Sequence, residues 1–87
     1  MSAPLKLLYF AWLREKAGIG EEAVPTPDGV ATVGELMDWL VGRGGGYAEA
    51  LADRSVVRVA VNQEYVKDDH PVRAGDEVAL FPPVTGG

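Results

Sequence analysis

Gly86-Gly87 are the residues of this 87-residue chain whose type and position offer chemistry. They follow Phe81-Pro82-Pro83-Val84-Thr85. Glycine has no Cβ and reaches backbone angles closed to other residues, so a diglycine end can thread its α-carboxylate into a narrow pocket of another protein. The competing reading is a frayed terminus, since chain ends are commonly disordered. A free carboxylate, with a pKa of about 3.5, is ionised at neutral pH and is a poor electrophile. Activation is needed, most simply as a mixed anhydride with AMP drawn from ATP. Sulfur, an amine or a thiol can then displace the AMP.

Little else in the sequence supplies chemistry. There is no cysteine, which excludes disulfides, thiolate metal sites, Fe–S clusters and a cysteine nucleophile. The one histidine, His70, precedes Pro71 and reads as a turn residue. Gly42-Arg43-Gly44-Gly45-Gly46 lacks the lysine of a phosphate-binding loop and reads as a helix C-cap and loop. No cofactor is expected on this chain, and the ATP belongs to a separate activating enzyme.

The tail needs a body to present it. Pro82-Pro83 stiffens its exit. In polyproline II geometry Pro82 to Gly87 spans roughly 19 Å, enough to enter a neighbour's active site. Glu77-Val78-Ala79-Leu80-Phe81 reads as the last strand, ended by the prolines. Val78 and Leu80 share one parity and face the core, while Ala79 and Phe81 face the other way. Phe81 is either a partner contact or a ring tucked against the main helix or sheet edge.

Upstream, Leu5 to Phe10 reads as a strand and Ala11 to Ala17 as a short helix stopped by Gly18. Glu22 to Val24 reads as a short strand and Pro25 to Gly29 as a loop. Thr32-Val33-Gly34-Glu35 reads as a capping box. Val33, Leu36, Met37, Leu40 and Val41 form one face of an amphipathic helix that Gly42 and the triple glycine end. Trp39 lies off that stripe. Tyr47 to Ala52 reads as an extra helical turn. Ser55 to Asn62 alternates as a strand with Val57, Val59 and Val61 inward. Asn62-Gln63-Glu64 is turn-like, Tyr65-Val66 pairs briefly, and Arg73 to Asp76 is a tight turn. This order predicts an α+β layer, a sheet with a helix on one face, over residues 1–81, with 82–87 as an extended tail.

Composition sets the surroundings. Hydrophobic residues make up 47% of the chain, which favours a folded globule over disorder. No apolar run approaches the ~18 residues of a membrane span, and no signal peptide is visible, so cytoplasmic residence is the expectation. A formal charge of −5 disfavours nucleic acid and suits either solubility or steering toward a basic pocket on a partner.

Several segments together carry a resemblance. They are Lys6 to Ala11 with Leu13-Arg14-Glu15, Asn62-Gln63, Asp69-His70-Pro71, Ala74 to Val78, and Phe81 to Gly87. Over nearly the whole chain the sequence resembles the small, sulfur-carrier subunit of molybdopterin synthase. The resemblance implies a ubiquitin-like β-grasp fold, a mixed sheet of four to five strands on one main helix. It implies that an adenylating enzyme related to ubiquitin-activating enzymes acts on the Gly87 carboxylate. A persulfide donor then supplies sulfur for a Gly87 thiocarboxylate. The large synthase subunit receives the tail and uses that sulfur to build molybdopterin from cyclic pyranopterin monophosphate, in a heterotetramer. By position, Gly87 carries the reacting carboxylate and Gly86 gives it access, while Phe81, Pro82, Pro83, Val84 and Thr85 meet the partner. Carriers for thiamine or tRNA thiolation share this chemistry. Two readings from other classes are a protein modifier joined through Gly87 and an interaction domain with an inert tail.

Overall fold

The computed structural model describes residues 3–83. The expectations placed on Val84, Thr85, Gly86 and Gly87 lie outside that span. Strand β1 (Leu5–Tyr9) leads into α1 (Trp12–Ala17), then β2 (Glu21–Val24), α2 (Val33–Gly42) and α3 (Gly45–Ala50). A 3₁₀ turn (Arg54–Val56) precedes β3 (Arg58–Val61), β4 (Glu64–Val66) and β5 (Glu77–Phe81). The five strands lie in the order β2-β1-β5-β3-β4. β1 and β5 run parallel and the other neighbours antiparallel. This is the mixed sheet of a β-grasp domain, with β5 at its centre.

One sheet face makes the core. Leu5, Leu7, Tyr9, Val59, Val61, Val78 and Leu80 pack with Val33, Leu36, Met37 and Leu40 of α2. The α2 stripe is as the spacing predicts, with Val41 partly buried at its margin and Trp39 packed against the core edge. Thr32 caps the helix: its hydroxyl accepts from the Glu35 N–H at 3.3 Å. The reciprocal half of the box is displaced by one residue. The Glu35 carboxylate accepts from the Ala31 N–H at 3.0 Å rather than from that of Thr32.

Several boundaries differ from the sequence reading, and three of the differences have a clear physical cause. Ser55 and Val56 belong to the 3₁₀ turn, because the Asp53 carboxylate caps it by accepting from the Ser55 N–H at 3.0 Å. Glu64 belongs to β4, since Asn62 (φ 51°) and Gln63 (φ 71°) make a two-residue hairpin of the primed kind. The triple glycine is not a loop: Gly45 and Gly46 open α3. A Cβ on Gly46 would stand 1.7 Å from the Lys16 carbonyl oxygen, so α3 crosses the end of α1 at a distance that only glycine permits.

The residues carrying the Asn62 and Asp76-Glu77 resemblance have a structural role. The Asn62 amide donates to Asp76 Oδ1 at 3.1 Å, and its oxygen accepts from the Glu77 N–H at 3.0 Å. These bonds join the β3–β4 hairpin to the turn that launches β5. His70 also sits in a turn, where its carbonyl accepts from the Val33 N–H at 2.9 Å.

Candidate functional site

The sheet face turned away from the helices holds the candidate site. Strand alternation assigns Lys6 and Leu8 of β1, Ala79 and Phe81 of β5, Arg58 and Ala60 of β3, and Tyr65 of β4 to this face. Register aligns Leu8, Ala79, Ala60 and Tyr65 in one row across the sheet. Two alanines in that row leave a shallow floor. The Tyr65 and Phe81 rings meet above it, with centroids 5.3 Å apart at 42°, and Ala60 is only 6% exposed although it faces outward. Phe81 is half-buried in this pair, on the outer face as its parity predicts.

Apolar side chains extend the surface toward the other edge. Among the described residues, Phe10, Ile19 and Tyr65 are three of the four large hydrophobic residues left exposed, Phe10 at 49% and Tyr65 at 76%. Phe10 continues the β1 alternation outward, its N–H bonded to the Leu80 carbonyl at 3.1 Å. Such a run of aromatic and aliphatic groups on a small domain marks an interaction surface. Phe81 is the last residue of the central strand. Pro82 and Pro83, both partly buried, follow at the end of this strand. Phe81 meets Tyr65, and Phe10 follows Tyr9, the register partner of Leu80; the sequence reading missed Phe10 and Tyr65. Extending the outward parity of Lys6 to Leu8 and Phe10 was the signal available for Phe10.

A groove of about 750 Å³ lies at another edge, between Met37 of α2 and the ends of β3 and β4. Its cations do not gather into a site, since Arg54 already pairs with Asp38 at 2.5 Å. Among the described residues no group of three His, Asp or Glu stands at metal-binding distance. The glycine-rich segment at 42–46 lies at the α2–α3 junction.

The strongest electrostatic feature is structural. Glu22 Oε2 accepts from the Tyr9 hydroxyl at 2.7 Å, the Tyr47 hydroxyl at 2.9 Å and Arg43 Nη1 at 3.0 Å. The Arg43 guanidinium lies 4.3 Å from the Tyr47 ring centroid and 5.1 Å from that of Trp39. One carboxylate thus joins β1, β2, α2 and α3. Burial opposes ionisation of Glu22, but the hydrogen bonds from Tyr9, Tyr47 and Arg43 outweigh it and hold the carboxyl below its ordinary value of 4.5. Burial, reinforced by the adjacent Glu22, pushes both the Tyr9 and Tyr47 hydroxyls up, so they stay protonated.

A carboxyl whose pKa is depressed on folding adds stability above its unfolded pKa, and that stability is lost as pH falls through the folded value. Melting temperature is therefore expected to fall as pH drops below about 4.5. Glu22→Gln should be destabilised by about 2 kcal/mol at neutral pH and lose part of this acid sensitivity. Parallel melting curves for the two proteins between pH 6 and about pH 3 would show that Glu22 is not the linked group.

The sequence model of the ThiS family matches residues 7–87. The chain belongs to the ThiS family. Within it, the chain is 42% identical to the molybdopterin synthase sulfur carrier subunit of Escherichia coli (strain K12), over 95% of this chain and 99% of that one. The crystal structure of Haloferax volcanii small archaeal modifier protein 1 is similar at a TM-score of 0.73 and 37% identity, covering 94% of this chain and 99% of that one. The Caldiarchaeum subterraneum ubiquitin structure, 20% identical with a TM-score of 0.53 and full coverage of both chains, shares the fold. In this ThiS-family chain the matched span takes in the outer face from Leu8 onward and the four residues beyond Pro83.

Proposed function

We propose that this chain is a sulfur carrier in molybdenum cofactor biosynthesis, the small subunit of a molybdopterin synthase. The observation that supports the reading most is the 42% identity to a sulfur carrier subunit over 95% of the chain. The apolar face from which the tail departs supplies the docking surface that such a subunit needs. Membership of the ThiS family covers the residues in which the chemistry would lie.

The chemistry proceeds from the tail. The Gly87 carboxylate attacks the α-phosphorus of ATP on an activating enzyme related to ubiquitin-activating enzymes, and pyrophosphate leaves. Persulfide sulfur from a donor displaces AMP, and a thiol of the donor system takes up the second sulfur of the persulfide as a disulfide. This leaves a Gly87 thiocarboxylate, which Gly86 gives room to enter the large synthase subunit. There it supplies sulfur to cyclic pyranopterin monophosphate. The dithiolene holds two sulfurs, so two loaded carriers are consumed for each molybdopterin. This chain binds no cofactor in that sequence, and the ATP is the activating enzyme's.

Phe81 and Tyr65 anchor the docking surface, with Pro82, Pro83, Val84 and Thr85 leading into the partner. Phe81→Ala is expected to weaken binding to the large subunit by about 30-fold, the size of a central aromatic contact. Loss of a half-buried ring outside the core should lower the melting temperature by only about 4 °C. Calorimetric titration with the large subunit, beside a melting curve, measures both. Unchanged affinity would remove Phe81 from the interface.

A second reading, a protein modifier joined to lysines through Gly87, draws support from the likeness to small archaeal modifier protein 1. It predicts high-mass conjugates on a denaturing gel that disappear when Gly86-Gly87 are deleted.

A further inference from the structure

The corner between β1 and α1 contains a backbone conformation that its residue does not favour. Ala11 has φ 54° and ψ −132°, and the Leu13 N–H donates to the Phe10 carbonyl at 3.1 Å. Those angles and that bond are the first central position of a type II′ turn, which normally holds glycine. The Ala11 carbonyl starts α1 by accepting from the Arg14 N–H at 3.1 Å. Leu13, almost wholly buried, fixes the helix to the core. On the other side, the Phe10 N–H is held by Leu80. The chain thus turns from strand to helix at a single residue, and Ala11 is kept at positive φ from both sides.

Ala11 itself is exposed, so no crowding in the core selects alanine over glycine there. Its neighbour is the half-exposed Phe10. Strain that persists at an exposed position beside a binding surface is the kind found where geometry serves function. A methyl group narrows the range of positive φ that the corner samples, whereas glycine would broaden it.

We propose that Ala11 is a positioning residue whose strained corner holds the Phe10 ring outward, pre-set for the apolar surface of the large synthase subunit. The proposal rests on the partner reading given above. A pre-set ring loses less conformational freedom on docking. Ala11 thus acts through Phe10.

The test measures Ala11→Gly, Phe10→Ala, the double variant and Phe81→Ala for affinity to the purified large subunit and for melting temperature. Ala11→Gly relieves the strain, so its melting temperature should rise by about 4 °C. Its affinity should nonetheless fall about fivefold. A merely structural residue would not move the two in opposite directions. The double variant should bind no more weakly than Phe10→Ala alone. Unchanged affinity of Ala11→Gly, with Phe81→Ala weakened, overturns this proposal and leaves the partner reading standing. Additive losses in the double variant also overturn it, by making the Ala11 methyl a direct contact. If all four variants bind like the unaltered protein, the partner reading fails and takes the proposal with it.

Discussion

Deletion of Gly87 alone is expected to stop sulfur transfer while leaving the fold intact. Among the described residues the core runs from Leu5 to Leu80, and a glycine has no side chain to add to a core, so the melting temperature is expected not to change. Deletion moves the reacting carboxylate back by one residue, about 3.3 Å of extended chain. Misplacement of a reacting group by about 1 Å can cost 10²-fold in rate, so the truncated carrier should be at least that impaired. Molybdopterin formation in a reconstituted system, with carrier, activating enzyme, ATP, sulfur donor, large subunit and precursor, measures the loss. Full product yield from the truncated chain would mean that Gly87 does not carry the sulfur.

The second large effect concerns stability, and its sign is diagnostic. By helix propensity alone, Gly46→Ala inside α3 should stabilise the protein by about 1 kcal/mol. The geometry demands the reverse. A Cβ there would stand 1.7 Å from the Lys16 carbonyl oxygen and 2.8 Å from its carbon, and backbone atoms cannot swing aside as a side chain can. Either α1 or α3 must move, which strains the contact between them and the Glu22 network that α3 joins through Tyr47. We expect a loss of about 3 kcal/mol, or roughly 12–24 °C in melting temperature for a domain of this size. A rise in melting temperature would show that α1 and α3 do not approach so closely.

The features legible in the sequence were those set by local periodicity. Val57, Val59 and Val61 alternate, and all three are buried. The α2 stripe and the Thr32 cap follow from spacings of three and four residues. Phe81 could be assigned to the outer face from the parity of one strand. The features that were not legible depend on contacts between distant residues. Glu22 meets Tyr9, Arg43 and Tyr47 at separations of 13, 21 and 25 residues, and no pattern within one element foretells them. Gly46 resembled a helix stop because glycine usually ends helices; its true constraint is the Lys16 carbonyl on another helix. Tyr65 becomes the partner of Phe81 only once β3 lies between β4 and β5. The positive φ of Ala11 is likewise imposed by the tertiary structure on a residue with no preference for it.

Residue type and family resemblance point to chemistry at Gly87, and the proposed docking surface is the outer face on which Phe81 meets Tyr65. Under the proposed function, an apolar surface beside Phe81 would let one small domain bind successive partners while the reacting group enters each active site. The domain would do this without a catalytic cleft of its own.

Intact mass is the most direct test of the central claim. The protein is incubated with ATP, its host's adenylating enzyme and a persulfide sulfur donor, then weighed and digested. The account predicts replacement of one oxygen by sulfur, confined to the peptide that ends in Gly87. An unchanged mass, with the same enzyme shown to be active on another carrier, would contradict it.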